Sequence, residues 1–469
     1  MKSSKLLLIG SCLIALLAGC NEDKDKDKDK PKPGDKTETE IDPAIDVKVG
    51  QVLPAWQEGY LDIHSINGGR GEAFYYIFPD GTTMLCDAAG APPTEKYTYS
   101  GSSQGIPSKP SVNYNSGAVI VEYIKHFAPS VANGRLDYFM TSHYHGDHIG
   151  SWRDDYAKYG WTPFDKEGNK VGKVDLGNGG FLLNGIAEVG LSIPIGKVFD
   201  RGDWASRPSA DYFDAGGKAR YQLYANYLDY AARKQGTVRE TLKIGHDDQI
   251  VMKHNPAKYS TFSVRTLAAG GDVWTGNGTE VNTKYVPSTE ECTKNHTEWA
   301  ISENIFSNVF MIKYGNFDFF SGGDIQYTGK SSYSWKDIEK PISMVVGKVE
   351  GMKASHHSTA NTNSAELLGK LKPDFYIAGV WRDVQPNPAT LQRVYKANPS
   401  VRVMTTNLAP VNVSTLKAAG IDPDSFLATG GHVVVRVVPD GSKYYIYILD
   451  DSDLEFKVKA KYGPYTSFK

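Results

Sequence analysis

A histidine-rich loop placed directly after a predicted strand constrains this chain more than any other stretch. The run Leu136–Met140 alternates polar and apolar side chains and predicts a strand that enters a core. The residues that follow it are Thr141-Ser142-His143-Tyr144-His145-Gly146-Asp147-His148. Because side chains two residues apart on an extended segment share a side, His143 and His145 point the same way, and Asp147 and His148 lie beyond a turn. One loop can therefore serve two neighbouring metal ions.

The side chains of this loop suit particular metals. Imidazole nitrogen and carboxylate oxygen together favour zinc, and also iron or manganese, because these ions accept both kinds of ligand at about 2 Å. The alternative is an ordinary polar surface loop that is rich in histidine. Three imidazoles and one carboxylate within six residues favour the metal site.

The stretch His143-Tyr144-His145-Gly146-Asp147-His148 also resembles the signature of the metallo-β-lactamase-like hydrolases. The resemblance implies an α/β fold, α+β in some schemes, in which a four-layer αβ/βα sandwich holds a metal site between two sheets. It further implies two divalent metal ions as cofactors, zinc or alternatively manganese, with the histidines and Asp147 of this loop among their ligands.

A predicted hairpin supplies a further ligand. Val309–Tyr314 and Phe317–Phe320 read as strands, and the second is followed by Ser321-Gly322-Gly323-Asp324. Gly322-Gly323-Asp324 is similar to the T-G-D of the family, which implies that Asp324 bridges both metals. The alternative is an ordinary aspartate turn.

Three more stretches resemble one subgroup of the family, the competence DNA-uptake channel hydrolase domains and the bacterial phosphorylcholine esterases. Glu303–Ser307 resembles an E-N-x-x-S stretch, and Lys348–Thr359 resembles a K-x-x-H-H-G-S run, with Ser358 at the glycine position. The loop Gly68–Ala73 is similar to V-G-Q-G-D-A and departs from it at Gly68, Arg70 and Glu72.

The subgroup resemblance implies roles for the paired histidines of the Lys348–Thr359 run. His356 is expected to bind the metal that is served by Asp147 and His148. His357 is expected to face substrate as a donor or proton shuttle, and the reverse assignment of the two histidines stays open. Asp147, Asp324 and His357 are accordingly the predicted catalytic residues.

Many members of the family carry another ligand histidine in a P-G-H motif, which this sequence lacks. The metal held by His143 and His145 is therefore expected to have one protein ligand fewer, and Asn304, water or substrate would complete its coordination.

His64, on a strand-like run, and His432, in a glycine turn, could also lie near the site. A lone histidine more often belongs to the core or the surface.

The N-terminus predicts export and a lipid anchor. Lys2 and Lys5 precede the apolar run Leu6–Leu17 and then Ala18-Gly19-Cys20, which is typical of a signal peptide over residues 1–19. Its ending resembles a bacterial lipobox, which implies lipidation of Cys20, membrane attachment, and a place in the bacterial cell envelope, periplasmic or on the outer surface. A plain signal peptide with an incidental cysteine is the alternative.

The rest of the chain divides simply. Residues 20–46 are a charged, low-complexity tether without aromatic residues, which cannot bury enough surface to fold. Residues 47–469 are predicted to form one hydrolase domain, with insertions at about 152–183 and 206–237 that cover the active-site face. Cys86 and Cys292 could pair, or Cys86 could be a buried free thiol.

The net charge of the chain and the absence of certain motifs exclude some classes of function. The formal net charge is −2, and no basic block follows the tether, so strong non-specific binding to nucleic acid is not indicated. The sequence contains no Walker loop, which gives nucleoside triphosphatases no support.

The function predicted first is that of a lipid-anchored binuclear metallohydrolase that cleaves phosphodiesters with a water activated between two metals. A phosphorylcholine-type headgroup, a cyclic nucleotide or a nucleic acid would fit as substrate. Hydrolysis of a lactone, thioester or β-lactam at the same site is the alternative. A metal-containing surface protein that binds without turnover is an alternative of another class.

Overall fold

The computed structural model describes residues 42–94, 98–100, 103–283, 301–328 and 335–468. The chain from Asp42 to Lys469 forms one compact unit. The predicted signal peptide, Cys20, most of the tether and Cys292 lie outside the described residues, and what the sequence suggests about them stays a prediction. Cys86 is a buried free thiol.

Strands make up most of the regular structure. Numbered in chain order, they are β1 Leu61–Ser65, β2 Phe74–Ile77, β3 Thr83–Cys86, β4 Thr98–Ser100, β5 Ser103–Gly105, β6 Leu136–Met140, β7 Pro163–Phe164, β8 Phe181–Leu182, β9 Ile195–Asp200, β10 Val238–Thr241, β11 Phe262–Ala269, β12 Asp272–Trp274, β13 Val281–Asn282, β14 Val309–Tyr314, β15 Phe317–Ser321, β16 Gly351–Lys353, β17 Phe375–Ala378, β18 Arg402–Thr405, β19 His432–Val437, β20 Lys443–Leu449 and β21 Val458–Thr466. The strand predicted at Leu136–Met140 is confirmed as β6, and the predicted hairpin is confirmed as β14 and β15.

The α-helices alternate with these strands. They are α1 Ser116–Phe127, α2 Gly146–Ile149, α3 Gly185–Ser192, α4 Ala210–Phe213, α5 Ala215–Gln235, α6 Glu339–Ser343, α7 Ala365–Leu371, α8 Pro388–Ala397 and α9 Pro410–Ala418. Among the described residues, none of the helices has both the length and the apolar character needed to span a membrane.

Most strands belong to two large mixed sheets. The first has the order β10-β9-β6-β3-β2-β1-β19-β20-β21, and the second has the order β13-β12-β11-β14-β15-β16-β17-β18. In the first sheet β3, β6 and β9 are parallel, and in the second sheet β15, β16 and β17 are parallel. The carboxyl ends of these parallel strands carry the loops that contain the predicted ligands.

A hydrophobic core lies between the two sheets. It includes Leu61, Ile63, Phe74 and Tyr76 of the first sheet and Phe310, Ile312, Phe319 and Phe375 of the second. Period-two alternation explains this division, since neighbouring residues on β1, such as Asp62 and His64, point to the opposite face.

Helices cover the outer face of each sheet. On the first sheet, α1, α3 and α5 contribute Ile120, Ile124, Val189 and Tyr227 to a second hydrophobic cluster. On the second sheet, α6 to α9 contribute Ile342, Leu367, Leu391 and Leu416 to a third cluster. The layers therefore run helix, sheet, sheet, helix, which confirms the predicted four-layer αβ/βα sandwich of the α/β class.

The outer face of the first sheet also holds a buried ion pair. Asp62 of β1 and Arg436 of β19 are cross-strand partners, and both side chains are fully buried. The guanidinium donates through Nε to Asp62 Oδ1 at 2.9 Å and through Nη2 to Oδ2 at 2.7 Å. It also donates to the carbonyl oxygens of Ala44 and Pro54, so this arginine ties residues 42–54 to the sheet.

The two stretches predicted as insertions have structures of their own. Residues 152–183 contain the small β7–β8 sheet, and residues 206–237 contain α4 and α5. Helix α5 begins after Asp214, whose side chain accepts a hydrogen bond from the Gly217 backbone, and ends at Gly236, which has a φ of 71°. Its residues Tyr224 and Tyr227 pack into the cluster on the first sheet, which anchors the insertion.

Candidate metal centre

The histidine loop after β6 is held by both sheets. The Ser142 backbone N–H donates to Oδ1 of Asp87, which follows β3, at 2.8 Å. The Ser142 carbonyl accepts from the backbone N–H of Asn308, which precedes β14, also at 2.8 Å. The short helix α2 then carries Asp147 and His148. The loop is therefore fixed at the point where the two sheets meet.

Asp324 lies at the centre of the cluster of predicted ligands. The distances from its Oδ2 atom are 3.2 Å to Nε2 of His148, 3.4 Å to Nε2 of His357, and 3.8 Å to Nε2 of both His143 and His356. Its carboxylate is 1 % exposed, and its backbone N–H donates to Oγ of Ser307 at 3.0 Å. One buried carboxylate oxygen thus faces four imidazoles, as a bridging ligand would.

Hydrogen bonds fix the orientation of two of these imidazoles. His148 Nδ1 lies 2.8 Å from Oδ2 of Asp87, and His357 Nδ1 lies 2.8 Å from the carbonyl oxygen of Gly379. Because Nδ1 donates to these acceptors, Nε2 is the nitrogen of each ring that is left to bind a metal ion. Both Nε2 atoms are buried and have no hydrogen-bond partner among the described residues. They lie 3.6 Å and 3.4 Å from Oδ2 of Asp147.

These residues fit a divalent metal ion. Buried polar atoms without a partner are rare in folded proteins, so the Nε2 atoms of His148 and His357 and Oδ1 of Asp324 call for a ligand. Ligand atoms of Glu72, His148, Asp324 and His357 all lie within 4.8 Å of one another, and this group could hold a metal. Nitrogen and carboxylate donors of this kind are typical of zinc sites.

His357, rather than His356, lies beside Asp147 and His148. His356 is 26 % exposed and contacts Oγ1 of Thr359 at 2.9 Å and Nε2 of Gln326 at 3.1 Å. The two neighbouring rings diverge because both residues have left-handed backbones, with φ values of 49° and 53°. Ser358 has a φ of 66°, which explains why the similar family run has glycine there. The geometry therefore favours the alternative that the sequence left open, with His357 as ligand and His356 toward substrate.

A second group of ligands involves His143 and His145. Nε2 of His143 lies 2.9 Å from Nδ1 of His145, so these two atoms converge on one point. The other ring nitrogen of His145, Nε2, lies 3.3 Å from Oδ2 of Asp211 on α4, which also pairs with Arg220 of α5. A carboxylate behind a ligand histidine orients the ring and increases its basicity. The insertion at 206–237 thus reaches the metal centre.

Replacing Asp211 by asparagine is expected to weaken the binding of one metal ion by about 10-fold to 100-fold, because His145 loses its charged acceptor. Titration of the metal-free protein with zinc against a chromogenic chelator measures this affinity directly. Asp229→Asn, an exposed aspartate on α5, is the matched control. Equal zinc affinity in the Asp211→Asn variant and the wild type would contradict a role for Asp211 in holding His145.

Glu72 is a residue of the centre that sequence analysis did not identify as a ligand. Its Oε2 atom lies 2.8 Å from Nζ of Lys353, and both side chains are 1 % exposed. Lys353 also donates to the carbonyl oxygen of Gly323 at 2.8 Å and lies 3.7 Å from Oδ1 of Asp324. Glu72 stands where the V-G-Q-G-D-A motif has aspartate. The carboxylate shared by the two residues could have identified Glu72 from the sequence. Through Lys353 it supports the loop that carries Asp324.

Glu303, the first residue of the E-N-x-x-S stretch, connects that stretch to the histidine loop. Its carboxylate accepts two hydrogen bonds from Arg201, at 2.7 Å and 3.0 Å, one from Trp204 Nε1 at 3.1 Å, and one from the Tyr144 backbone at 3.3 Å. Tyr144 stands between His143 and His145 in the loop. Glu303 therefore fixes the backbone from which both histidines project.

The three predicted neighbours of the site fall in two places. Asn304 lies at the site, with Nδ2 3.3 Å from both ring nitrogens of His356. His64 and His432 instead pack in the core around Tyr123, with His64 Nδ1 2.9 Å from its hydroxyl and the His432 ring centroid 4.9 Å away. Among the described residues, the contacts of these two histidines include none of the predicted ligands.

Electrostatics couple the carboxylates and imidazoles of the centre. Burial alone would raise the pKa of the Asp324 carboxyl, but the imidazoles of His357 and His148 hold that pKa well below its usual range. Burial opposes the charged form of His357, yet Asp324 and Glu72 raise its pKa to about 10. Protons therefore occupy the centre when no cation does, and metal binding should release them.

The centre opens into a cleft of about 680 Å³. His145, Asp147, His356 and His357 line its floor. Its walls carry the cationic side chains Arg70, Arg153, Lys158, Arg220 and Arg382 and the aromatic side chains Trp152, Tyr159 and Trp381. Among the described residues that line the cleft, Asp147 is the only one with a carboxylate. Both predicted insertions contribute to these walls.

Comparisons with known proteins add the following. No family model and no curated protein matches the sequence. Among solved structures, the chain is similar to the metallo-β-lactamase fold protein YhfI from Bacillus subtilis, at 11% identity over 74% of this chain and 96% of that one, with a TM-score of 0.32. It is also similar to Zn²⁺-bound PqqB from Methylobacterium extorquens, at 10% identity over 80% of this chain and 99% of that one, with a TM-score of 0.30. The fold assignment rests on the layer order and strand topology of the chain itself.

Proposed function

We propose that this protein is a binuclear metal-dependent hydrolase that cleaves phosphodiesters. One observation carries the proposal: a single buried carboxylate oxygen of Asp324 lies 3.2 to 3.8 Å from four imidazole Nε2 atoms at the floor of an open cleft. His148, His357 and Asp147 would hold one ion on one side of Asp324, and His143 and His145 the other. Asn304, which lies beside His356, or else water or substrate would complete the second set.

Two divalent ions in these positions would lower the pKa of a water and stabilise negative charge on the attacked group. The chain's own residues prepare that chemistry. Asp87 and the Gly379 carbonyl fix the tautomers of His148 and His357, and Lys353 and Ser307 hold the loop that carries Asp324. His356 is partly exposed in the cleft and is placed to donate a hydrogen bond to the substrate.

The charge of the cleft favours a phosphodiester over a neutral ester. A phosphodiester keeps one negative charge at neutral pH, whereas most lactones and thioesters are neutral at the reacting bond. Among the described residues that line the cleft, five carry cationic side chains and one carries a carboxylate, and oriented positive charge raises the local concentration of an anionic substrate. Attachment through a lipid at Cys20 and a place in the bacterial envelope belong to the same proposal.

The proposal is tested with bis-p-nitrophenyl phosphate. Dialysis of the purified protein against a chelator is expected to remove its hydrolytic activity, and zinc or manganese is expected to restore it. A neutral lactone and a β-lactam serve as comparison substrates under the same conditions. Faster cleavage of these neutral substrates would favour the alternative hydrolase, and bound metal without any turnover would favour a binding protein.

A further inference from the structure

Resting on the proposed function, we infer that the cleft contains a second anion-binding subsite, so that the preferred substrate is a phosphodiester that carries a further phosphate group. The subsite consists of Trp381 with Arg70 and Arg382 on one wall and Tyr159 with Arg153 and Lys158 on the other. None of these residues belongs to the metal centre.

The first wall stacks two arginines on one tryptophan. Cζ of Arg70 lies 5.6 Å from the centroid of the Trp381 ring, and Cζ of Arg382 lies 5.5 Å from it. The Trp381 ring is 6.3 Å from the ring of His357 and nearly perpendicular to it, so this wall adjoins the metal centre. Stacking of this kind holds guanidinium groups in place beside the ring.

Arg70 is built into this wall. It is 6 % exposed, and it donates through Nε to the Pro92 carbonyl at 2.8 Å and through Nη1 to the Ile106 carbonyl at 3.2 Å. A side chain at Gly105 would collide with the guanidinium, so the glycine leaves room for it. Burial and the charge of Arg382 lower the pKa of Arg70 to about 10. An anion near Trp381 would offset this repulsion between the two guanidinium groups.

An unused donor lies in the same wall. Nε1 of Trp381 is buried and has no hydrogen-bond partner among the described residues. An indole N–H in that position normally finds an acceptor. A phosphate oxygen is an acceptor that both the indole and the flanking guanidinium groups would satisfy.

The second wall repeats the arrangement on the insertion at 152–183. Cζ of Arg153 lies 5.7 Å and Nζ of Lys158 lies 5.8 Å from the centroid of the Tyr159 ring. Arg153 has one acidic contact, with Asp155 at 3.5 Å, and both side chains are about half exposed. Solvent screens such a pair strongly, so it does not neutralise this wall.

The two walls carry more positive charges than the single negative charge of one phosphodiester. The metal ions would already bind the single charge at the scissile bond. A cleft of about 680 Å³ has the size of a small-molecule site, large enough for a phosphorylated nucleoside or headgroup. A second phosphate on the substrate would place its charge among the cations of the walls.

A matched pair of substrates tests the subsite. One is the p-nitrophenyl ester of thymidine 5′-phosphate, and the other is the same ester with a 3′-phosphate added. The full-length protein, loaded with zinc, is expected to cleave the 3′-phosphorylated ester with a kcat/KM about 10-fold to 100-fold higher, the range for one charged hydrogen bond or more. The preference should shrink as salt is raised, because Arg153 and Lys158 are exposed.

Two sets of variants locate the preference. Arg382→Gln is expected to bring the ratio of the two kcat/KM values toward one. The double variant Arg153→Gln with Lys158→Gln is expected to lower the same ratio, and because both side chains are exposed, we expect little effect on stability. Arg135→Gln, an exposed arginine just before β6 and outside the cleft, is the control and should keep the wild-type ratio.

The outcomes separate the two proposals. If the wild type cleaves neither ester, the phosphodiesterase proposal fails and the subsite falls with it. If it cleaves both esters equally, or if the preference survives in both sets of variants, the subsite is overturned and the phosphodiesterase stands.

Discussion

Replacing Asp324 by asparagine is expected to lower kcat for phosphodiester hydrolysis by at least about 10³-fold, more than the loss of a single electrostatic donor costs. Asparagine keeps the size of the side chain but removes the charge that His148 and His357 face at 3.2 Å and 3.4 Å. Both metal positions would lose their shared anion, so bound metal should fall together with kcat. Turnover of bis-p-nitrophenyl phosphate and metal content by mass spectrometry measure the two effects.

Asp318→Asn is the matched control for this experiment. Asp318 lies on β15, six residues before Asp324, and contacts Lys313 at 3.4 Å, away from the ligand cluster. Its replacement should leave metal content and kcat close to the wild type. If Asp324→Asn retained both bound ions and most of the activity, Asp324 would not be the bridging ligand.

The parts of the centre that lie close together in sequence could be predicted. His143, His145, Asp147 and His148 follow one strand within a few residues, and Asp324 follows a hairpin whose alternation is plain. The strand ends alone place these side chains at one edge of the fold, because β6 and β15 both end beside a parallel neighbour. Local pattern and a motif resemblance were enough to predict that these side chains lie together.

Other parts depended on contacts between distant residues. Glu72 is held in the centre by Lys353, 281 positions later in the chain, and Asp211 reaches His145 from a stretch that has no motif. The roles of His356 and His357 could not be separated by sequence, because the left-handed backbone at both residues sends neighbouring rings in different directions. His64 was a plausible neighbour of the site by position, but it packs on the helix side of the first sheet with Tyr123.

The two stretches predicted as insertions, 152–183 and 206–237, contribute residues to both the metal centre and the cleft. Asp211 and Arg220 come from one of the stretches predicted as insertions, and Arg153 and Lys158 come from the other. One insertion supports a ligand histidine, and both supply positive charge above the ions. We therefore expect these two segments to contribute to substrate selectivity.

Far from the metal centre, replacing Arg436 by methionine is expected to lower the free energy of unfolding by about 3–5 kcal/mol. Methionine fills the space of the arginine stem, but it leaves the fully buried carboxylate of Asp62 without its partner. The carbonyl oxygens of Ala44 and Pro54 lose their donors as well. Urea unfolding at pH 7 measures the loss, and Arg135→Met, at an exposed arginine, should change stability by no more than about 0.5 kcal/mol.

Acid provides an independent check on the same pair. Burial alone would raise the pKa of Asp62, but Arg436 holds it at about 2, below its ordinary value of 3.8. Because folding lowers this pKa, the unfolded chain takes up the proton first, so the stabilisation is complete above about pH 4 and is lost as the pH falls toward 2. The stability difference between wild type and Arg436→Met should therefore narrow between pH 7 and pH 3. A difference that stays constant over this range, or a loss at pH 7 no larger than that of Arg135→Met, would show that the ion pair does not stabilise the sheet.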